Sequence, residues 1–357
     1  MRATVLAVLL VVACVSFVRV CAVAVGDDAA TTAYQKGKDA SAKKQWQTAL
    51  TYFDAAIKAK PDFAKAYKER SLVHEAMGQY VSSIEDLARA GELDRSLEPP
   101  WMLSGRGAPW HTQQSINHAK STLAQTPNDV AAMQTLAGGA LQLAADINMS
   151  HPSPATEAQC APLYKMAIPP CTHALSLFDK RQVTDPYQIL PFYNLRARAY
   201  TKLDETEKAI ADYTVAINFM PRKSVRDFAN VVGLYGSRAA VYEARKETDK
   251  ALADYTAIID MKAPDEIDRE IYYISRADLW KQRNDAAKEK ADVQNAIDSY
   301  SRRITRTPYP WIIELRAELY ARQKNYANAV ADMQRVVKEE PTPERRRRLA
   351  DYQKLLK

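Results

Sequence analysis

Leu190–Arg222 reads LPFYNLRARAYTKLDETEKAIADYTVAINFMPR. Small and aromatic residues recur in it at three- and four-residue intervals. Tyr193, Ala197 and Tyr200 precede a polar break, and Ala209, Tyr213 and Ala216 follow it before Pro221 ends the pattern. That period predicts two short helices joined by a turn. A near copy occupies 232–264, with Tyr235, Arg238, Ala239, Tyr242, Ala251, Tyr255 and Pro264 in the same places. Alanines at the crossing points let two helix backbones approach, and tyrosines fill the space between one hairpin and the next. A single hairpin cannot bury both faces, so the pattern predicts a stack.

The pattern resembles the tetratricopeptide repeat, a helical hairpin of about 34 residues. The resemblance implies an all-α, right-handed solenoid of about seven or eight stacked hairpins over 30–341, closed by a capping helix at 342–357. Composition agrees: only 10 Gly against 47% hydrophobic residues favours helices over hairpin strands or phosphate-binding loops.

Working outward, 30–63 and 64–94 form two earlier repeats, with Gly37, Ala49 and Phe53 in the first and Tyr67, Ser71 and Leu87 in the second. The register then weakens. Pro99, Pro100, Gly105, Gly107 and Pro109, with Trp101 and Trp110, predict a structured loop. A helix at 112–125 serves as the second half of a third hairpin, and a fourth starts at Val130. Its partner helix, at 172–180, is delayed by an insertion at 148–171 that holds His151, five prolines, Cys160 and Cys171. The expectation is a surface loop on one rim, where function tends to sit. Repeats at 270–300 and 310–341 follow.

The N-terminus carries Arg2, an apolar run over 3–18, and Ala22-Val23-Ala24 ahead of Asp27 and Asp28, the layout of a cleaved signal peptide over 1–24. The protein is therefore expected to be exported to a periplasmic or extracellular space. An uncleaved single-pass anchor and a lipoprotein site at Cys14 are the other readings of the same residues. With export, Cys160 and Cys171 become an even pair in an oxidising compartment, and a disulfide is expected.

From 301 onward Lys plus Arg number 14 against 7 acidic residues, which equals the +7 of the whole chain. The basic character is therefore local, and export argues against a nucleic-acid partner. Arg345–Arg348 carries part of it, either as a solvated helix surface or as a contact for anionic lipid or an acidic protein. Leu349, Tyr352 and Leu356 are expected to pack on the last repeat.

No catalytic constellation emerges. His74-Glu75 lacks the second histidine of a zinc-protease helix and stands where other repeats have Tyr or Trp. His151, Cys160, Cys171 and His173 could supply two imidazoles and two thiolates to a metal, although their spacing is irregular. Asn148-Met149-Ser150 is a glycosylation sequon. Arg70, Arg196, Arg238, Arg276 and Arg316 recur in one column. They are either a ladder of cations for an anionic partner or arginines whose stems pack across the hairpin while their heads reach solvent or a carbonyl.

The resemblance further implies a peptide or protein partner, bound in a concave groove lined by the first helix of each hairpin. The columns facing that groove hold Lys65 and Lys68, with Leu72 and Glu75, in the second repeat. In the central repeat they hold Asn194, Arg198 and Thr201, behind Pro191. The chaperone-tail clamp of the family needs Lys and Asn columns that Tyr34 and Lys38 occupy here. The expected function is a non-enzymatic interaction scaffold with no cofactor and no small-molecule substrate. A small catalytic or metal site on 148–173 and a structural subunit of an envelope complex are the alternatives.

Overall fold

The computed structural model describes residues 27–97, 109–261 and 269–357; the signal-peptide expectation, the loop at 98–108 and Pro264 lie outside them. Every regular element among the described residues is helical. The chain divides into two compact units. The first holds the residues up to Thr184 with Arg198–Glu205, and the second holds Asp185–Ala197 with Thr206–Lys357.

In the first unit α1 (27–42) and α2 (Trp46–Ala59) form one hairpin, and α3 (Ala64–Ala76) and α4 (Tyr80–Leu93) the next. Phe53, fully buried, anchors the first of them among Ala40, Ala49, Leu50 and Val73. Beyond a 3-10 turn at Arg95–Leu97 come α5 (Pro109–Gln125), α6 (Val130–Ser150), α7 (Pro154–Gln159) and α8 (Ala161–Lys180). Helix α6 lies between α5 and α8 and packs on both. It is apolar almost all round, with Met133, Leu136, Ala137, Ala140, Leu141, Leu143, Ala144 and Ile147 buried, as a helix covered on two faces must be. Its approach to α5 is close at Gly139, where an added Cβ would stand 3.0 Å from Ile116. α5 thus pairs with α6 as well as following α4, so it is more than the second half of the expected third hairpin.

The expected insertion loop is largely helix. α6 runs to Ser150, three residues later Ser153 caps α7 by accepting the Thr156 N–H, and α8 runs straight through Pro169 and Pro170. Leu163, Ala167, Cys171, Ala174 and Phe178 form one buried stripe through the prolines. Burial of that stripe on α6 outweighs the missing proline donors.

The second unit contains the start of α9 (Pro186–Lys202), then α10 (Thr206–Phe219), α11 (Val225–Ala244), α12 (Thr248–Asp260), α13 (Glu270–Gln282), α14 (Ala286–Arg306), α15 (Pro310–Arg322), α16 (Tyr326–Glu339) and the terminal α17 (Pro343–Leu356). Successive pairs from α11 onward stack as hairpins. Among the described residues, core clusters form around Tyr255, Ile258 and Leu279 and around Ile297, Tyr300, Ile312 and Ile313.

The turns α1–α2, α3–α4, α9–α10, α11–α12, α13–α14 and α15–α16 each contain one left-handed residue, two positions before the second helix. These are Lys44, Gly78, Asp204, Lys246, Asn284 and Lys324, with φ between 57° and 70°. At one of these turns the Glu247 N–H reaches the Tyr242 carbonyl and the Lys246 N–H the Glu243 carbonyl, closing a Schellman end. Only Gly78 takes this conformation without a Cβ penalty. Lys246→Gly is therefore expected to stabilise the second unit by about 0.5–1 kcal/mol, read as a raised denaturation midpoint. A lowered midpoint would contradict it.

Candidate functional site

The arginine column acts inside the fold. Each arginine of the set Arg70, Arg196, Arg238, Arg276 and Arg316, on the first helix of its hairpin, clasps an aspartate sixteen residues on, on the second helix. The partners are Asp86, Asp212, Asp254, Asp292 and Asp332, and both arms of every fork measure 2.6–2.9 Å. All five aspartates are buried. Such two-armed, charge-assisted pairs are the strong class of protein hydrogen bond. In four of them Nη1 continues to the preceding hairpin's second helix, and in Arg70 it reaches Asp54 of α2 at 2.5 Å. Arg238 reaches Thr214 at 2.8 Å, Arg276 reaches Thr256 at 3.0 Å and Arg316 reaches Ser301 at 2.9 Å. The guanidinium groups of Arg70, Arg196, Arg238 and Arg316 also lie 5.4–5.7 Å from a tyrosine ring of their own helix. The hydrogen bond to Asp254 holds the Arg238 pKa above its ordinary value, and Asp292 does the same for Arg276. The heads reach aspartates, and neither an anionic partner nor a carbonyl is their main contact.

The groove columns differ. Lys65 is exposed and Lys68 half-buried on α3, with Leu72 and Glu75 exposed farther along the same helix. On α9, Asn194 is half-buried while Arg198 and Thr201 are exposed. Asn194, Arg198 and Thr201, spaced by four and three residues, share one face of that helix. Polar and surface-placed, they stand apart from the buried Ala197, Ala199 and Phe192 of the same helix.

Cys160 and Cys171 are both buried, and no disulfide joins them. Cys160 caps α8 and Cys171 lies within it, and eleven residues of helix separate two Cα atoms by about 16 Å. A disulfide needs roughly 4.4–6.8 Å. Cys160 instead points its thiol at the Ala144 carbonyl, 3.7 Å away, and burial pushes its pKa up. The candidate metal set does not converge either. His151 stacks on Tyr80 with ring centres 3.8 Å apart, and His173 bonds to Asn128 at 2.9 Å. Among the described residues no group of three His, Cys, Asp or Glu could hold a metal. Asn148, the sequon residue, lies on α6 with its amide donating to the Tyr164 hydroxyl at 3.1 Å, so a glycan there would displace an internal bond.

The segment expected to loop out instead folds back on an earlier hairpin. Gln159 donates to the Gly78 carbonyl at 2.9 Å and accepts the Tyr80 N–H at 3.2 Å, stitching α7 to the α3–α4 turn. His74, half-buried, donates from Nδ1 to the Gln79 amide oxygen at 2.6 Å and lies 3.7 Å from Asp86, which fits a packing role. Between α4 and α5 an open cleft of about 910 Å³ is lined by Arg89, Glu92, Arg95, His111, Asn117 and His118. Glu92 is already held there by Arg89 and Asn117, each at 2.9 Å. Sequence reading missed this cleft, because its residues come from two elements either side of an irregular stretch.

The basic run at the C-terminus divides. Arg345 bonds Glu314 at 2.9 Å and Glu340 at 2.6 Å, and Arg348 bonds Glu314 at 3.0 Å and also reaches Glu318. Arg346 and Arg347 are exposed. Leu349 and Tyr352 are half-buried as expected of the packed side of the cap, whereas Leu356 is 50% exposed.

Sequence profiles of the tetratricopeptide repeat match at 34–96 and at 190–219. Comparison with curated proteins finds no match. Among solved structures the chain is similar to a thermophilic repeat protein of this kind from Thermus thermophilus, at 17% identity over 70% of this chain and 98% of that one, with a TM-score of 0.33. It is also similar to BtubC from P. vanneervenii, at 14% identity over 64% and 88%, TM-score 0.43. A tetratricopeptide repeat protein from Parabacteroides merdae shares 14% identity over 91% and 99%, TM-score 0.35. Likenesses this distant carry nothing about a partner.

Proposed function

Because the chain is a tetratricopeptide repeat protein, we propose that it is an exported, non-catalytic scaffold that binds a peptide or protein through the surface columns of its first helices. Lys65 and Lys68 on α3 and Asn194, Arg198 and Thr201 on α9 are the residues assigned to that contact. The observation that carries the reading is a division of labour. The alanine, tyrosine and arginine–aspartate columns are spent on the hairpins themselves. The assigned columns are polar, stay at the surface and are spaced along a preformed helix face. Such a face can satisfy an extended backbone and side chains by many weak contacts at little ordering cost to the protein. Export rests on the leader-like residues 1–24 alone.

Asn194→Ala with Arg198→Ala is expected to weaken capture of the native partner at least tenfold while helix content and melting temperature stay nearly unchanged. The partner would be identified first by affinity capture from the native compartment. Capture as tight as the parent's would show that recognition lies on another surface.

A further inference from the structure

The basic surplus of the C-terminal region can be located by removing the cations that the fold itself uses. Of the seven carboxylates beyond residue 301, Asp332 is taken by Arg316, Glu314 and Glu318 by Arg345 and Arg348, Glu340 by Arg345 and Glu339 by Arg335. Asp351 lies 3.7 Å from Lys354, which leaves Glu344. On the other side Arg302, Arg306, Arg346 and Arg347 enter no ion pair among the described residues, and Arg303 lies over the Trp311 ring at 5.2 Å.

These arginines collect at one end of the second unit. α14 has 21 residues where α10, α12 and α16 have 14, 13 and 14. The additional turns bury Tyr300 and Ile304 on Ile312 and Ile313 and carry Arg302, Arg303 and Arg306 between and beyond those two residues. The extension is therefore held in place by its apolar side. The chain then turns through Pro308 and presents Tyr309, 56% exposed, and Trp311, 48% exposed, at the start of α15. The Arg345–Glu314 bond draws the first turn of α17 beside the first turns of α15, which adds Arg346 and Arg347 to the same end.

We propose that this end of the unit, formed by the last turns of α14 with the first turns of α15 and α17, is a contact surface for a bilayer containing anionic phospholipid. Arginines alone would suit any phosphate or carboxylate. The aromatic side chains select the bilayer, because Trp and Tyr are favoured at the depth of the headgroups while neighbouring cations meet the lipid phosphates and carboxylates. The contact is peripheral: no helix among the described residues is long and apolar enough to cross a membrane. It is independent of the partner-binding columns on α3 and α9.

The test uses the full chain sedimented with phosphatidylcholine vesicles and with vesicles in which about a third of the lipid is phosphatidylserine, at ~0.1 M salt. Stronger pelleting with the anionic vesicles is expected. Arg302→Gln, Arg303→Gln and Arg306→Gln together should weaken that partitioning on the order of 100-fold, without changing the phosphatidylcholine baseline. Should the triple variant fold poorly, the exposed pair Arg302→Gln and Arg306→Gln gives a smaller loss of the same sign. Trp311→Phe should remove a blue shift of emission seen on adding anionic vesicles. Equal pelleting with both vesicle types, an unaffected arginine variant, or full displacement by millimolar soluble phosphoserine would each overturn the proposal. The last would leave an anion site without a bilayer.

Discussion

Arg238→Ala is expected to destabilise the second unit by about 3–5 kcal/mol, the range for removing one partner of a buried ion pair. Only 15% of the Arg238 side chain and 6% of that of Asp254 are exposed, so the aspartate left behind would be both charged and out of reach of bulk water. The loss reaches beyond one hairpin, because Nη1 of the same guanidinium holds Thr214 of the preceding hairpin's second helix. In a repeat array, stability is shared between neighbours, and a drop in melting midpoint of roughly 10 °C is expected for a unit of this size. Arg238→Met with Asp254→Leu should recover most of the loss, since an apolar pair of similar volume has no charge to desolvate and keeps the stem packing against Tyr235 and Tyr242. A double variant as unstable as Arg238→Ala would mean that the stacking and the third donor, and not the ion pair, hold the hairpins together.

The second large effect is at the C-terminal cap. Arg345 is 15% exposed on its side chain and Glu314 is 17% exposed, and Glu314 accepts from both Arg345 and Arg348. Changing Arg345 and Arg348 to Gln leaves that carboxylate without a cation, at a cost of roughly 2 kcal/mol to the α15–α17 end. Arg346→Gln with Arg347→Gln should change stability by less than about 0.5 kcal/mol, because both side chains are exposed. Chemical denaturation of the two double variants separates these outcomes. Equal midpoints would show that the four arginines form one solvated surface after all.

The hairpins are legible in the sequence because their alanine and tyrosine columns repeat, and the structure buries Ala197, Ala209, Ala239, Ala251, Tyr213 and Tyr255 as that pattern requires. The aspartate column is equally present but does not announce itself. Asp86, Asp212, Asp254, Asp292 and Asp332 each follow an arginine by sixteen residues, yet a polar residue within an amphipathic helix is ordinarily taken for solvent-facing. Only the pairing across two helices shows it to be buried. The segment after Ser150 misleads for a different reason. Its prolines and irregular repeat suggest broken helix, whereas the stripe from Leu163 to Phe178 runs through Pro169 and Pro170 and is satisfied by α6. The disulfide expectation fails on the same ground: two cysteines of one loop can meet, and two cysteines three turns apart on one helix cannot. The candidate contact residues on α3 and α9 follow from repeat position, and the structure adds their exposure without adding a partner.

The central claim is that the columns holding the hairpins together are distinct from those that recognise a partner. One measurement addresses it directly: partner capture by Arg238→Met with Asp254→Leu, at a temperature where the variant is fully folded, beside capture by Asn194→Ala with Arg198→Ala. The account predicts parental affinity for the first and a loss of at least tenfold for the second. Loss of capture in the first with retention in the second would place recognition on the arginine ladder and contradict it.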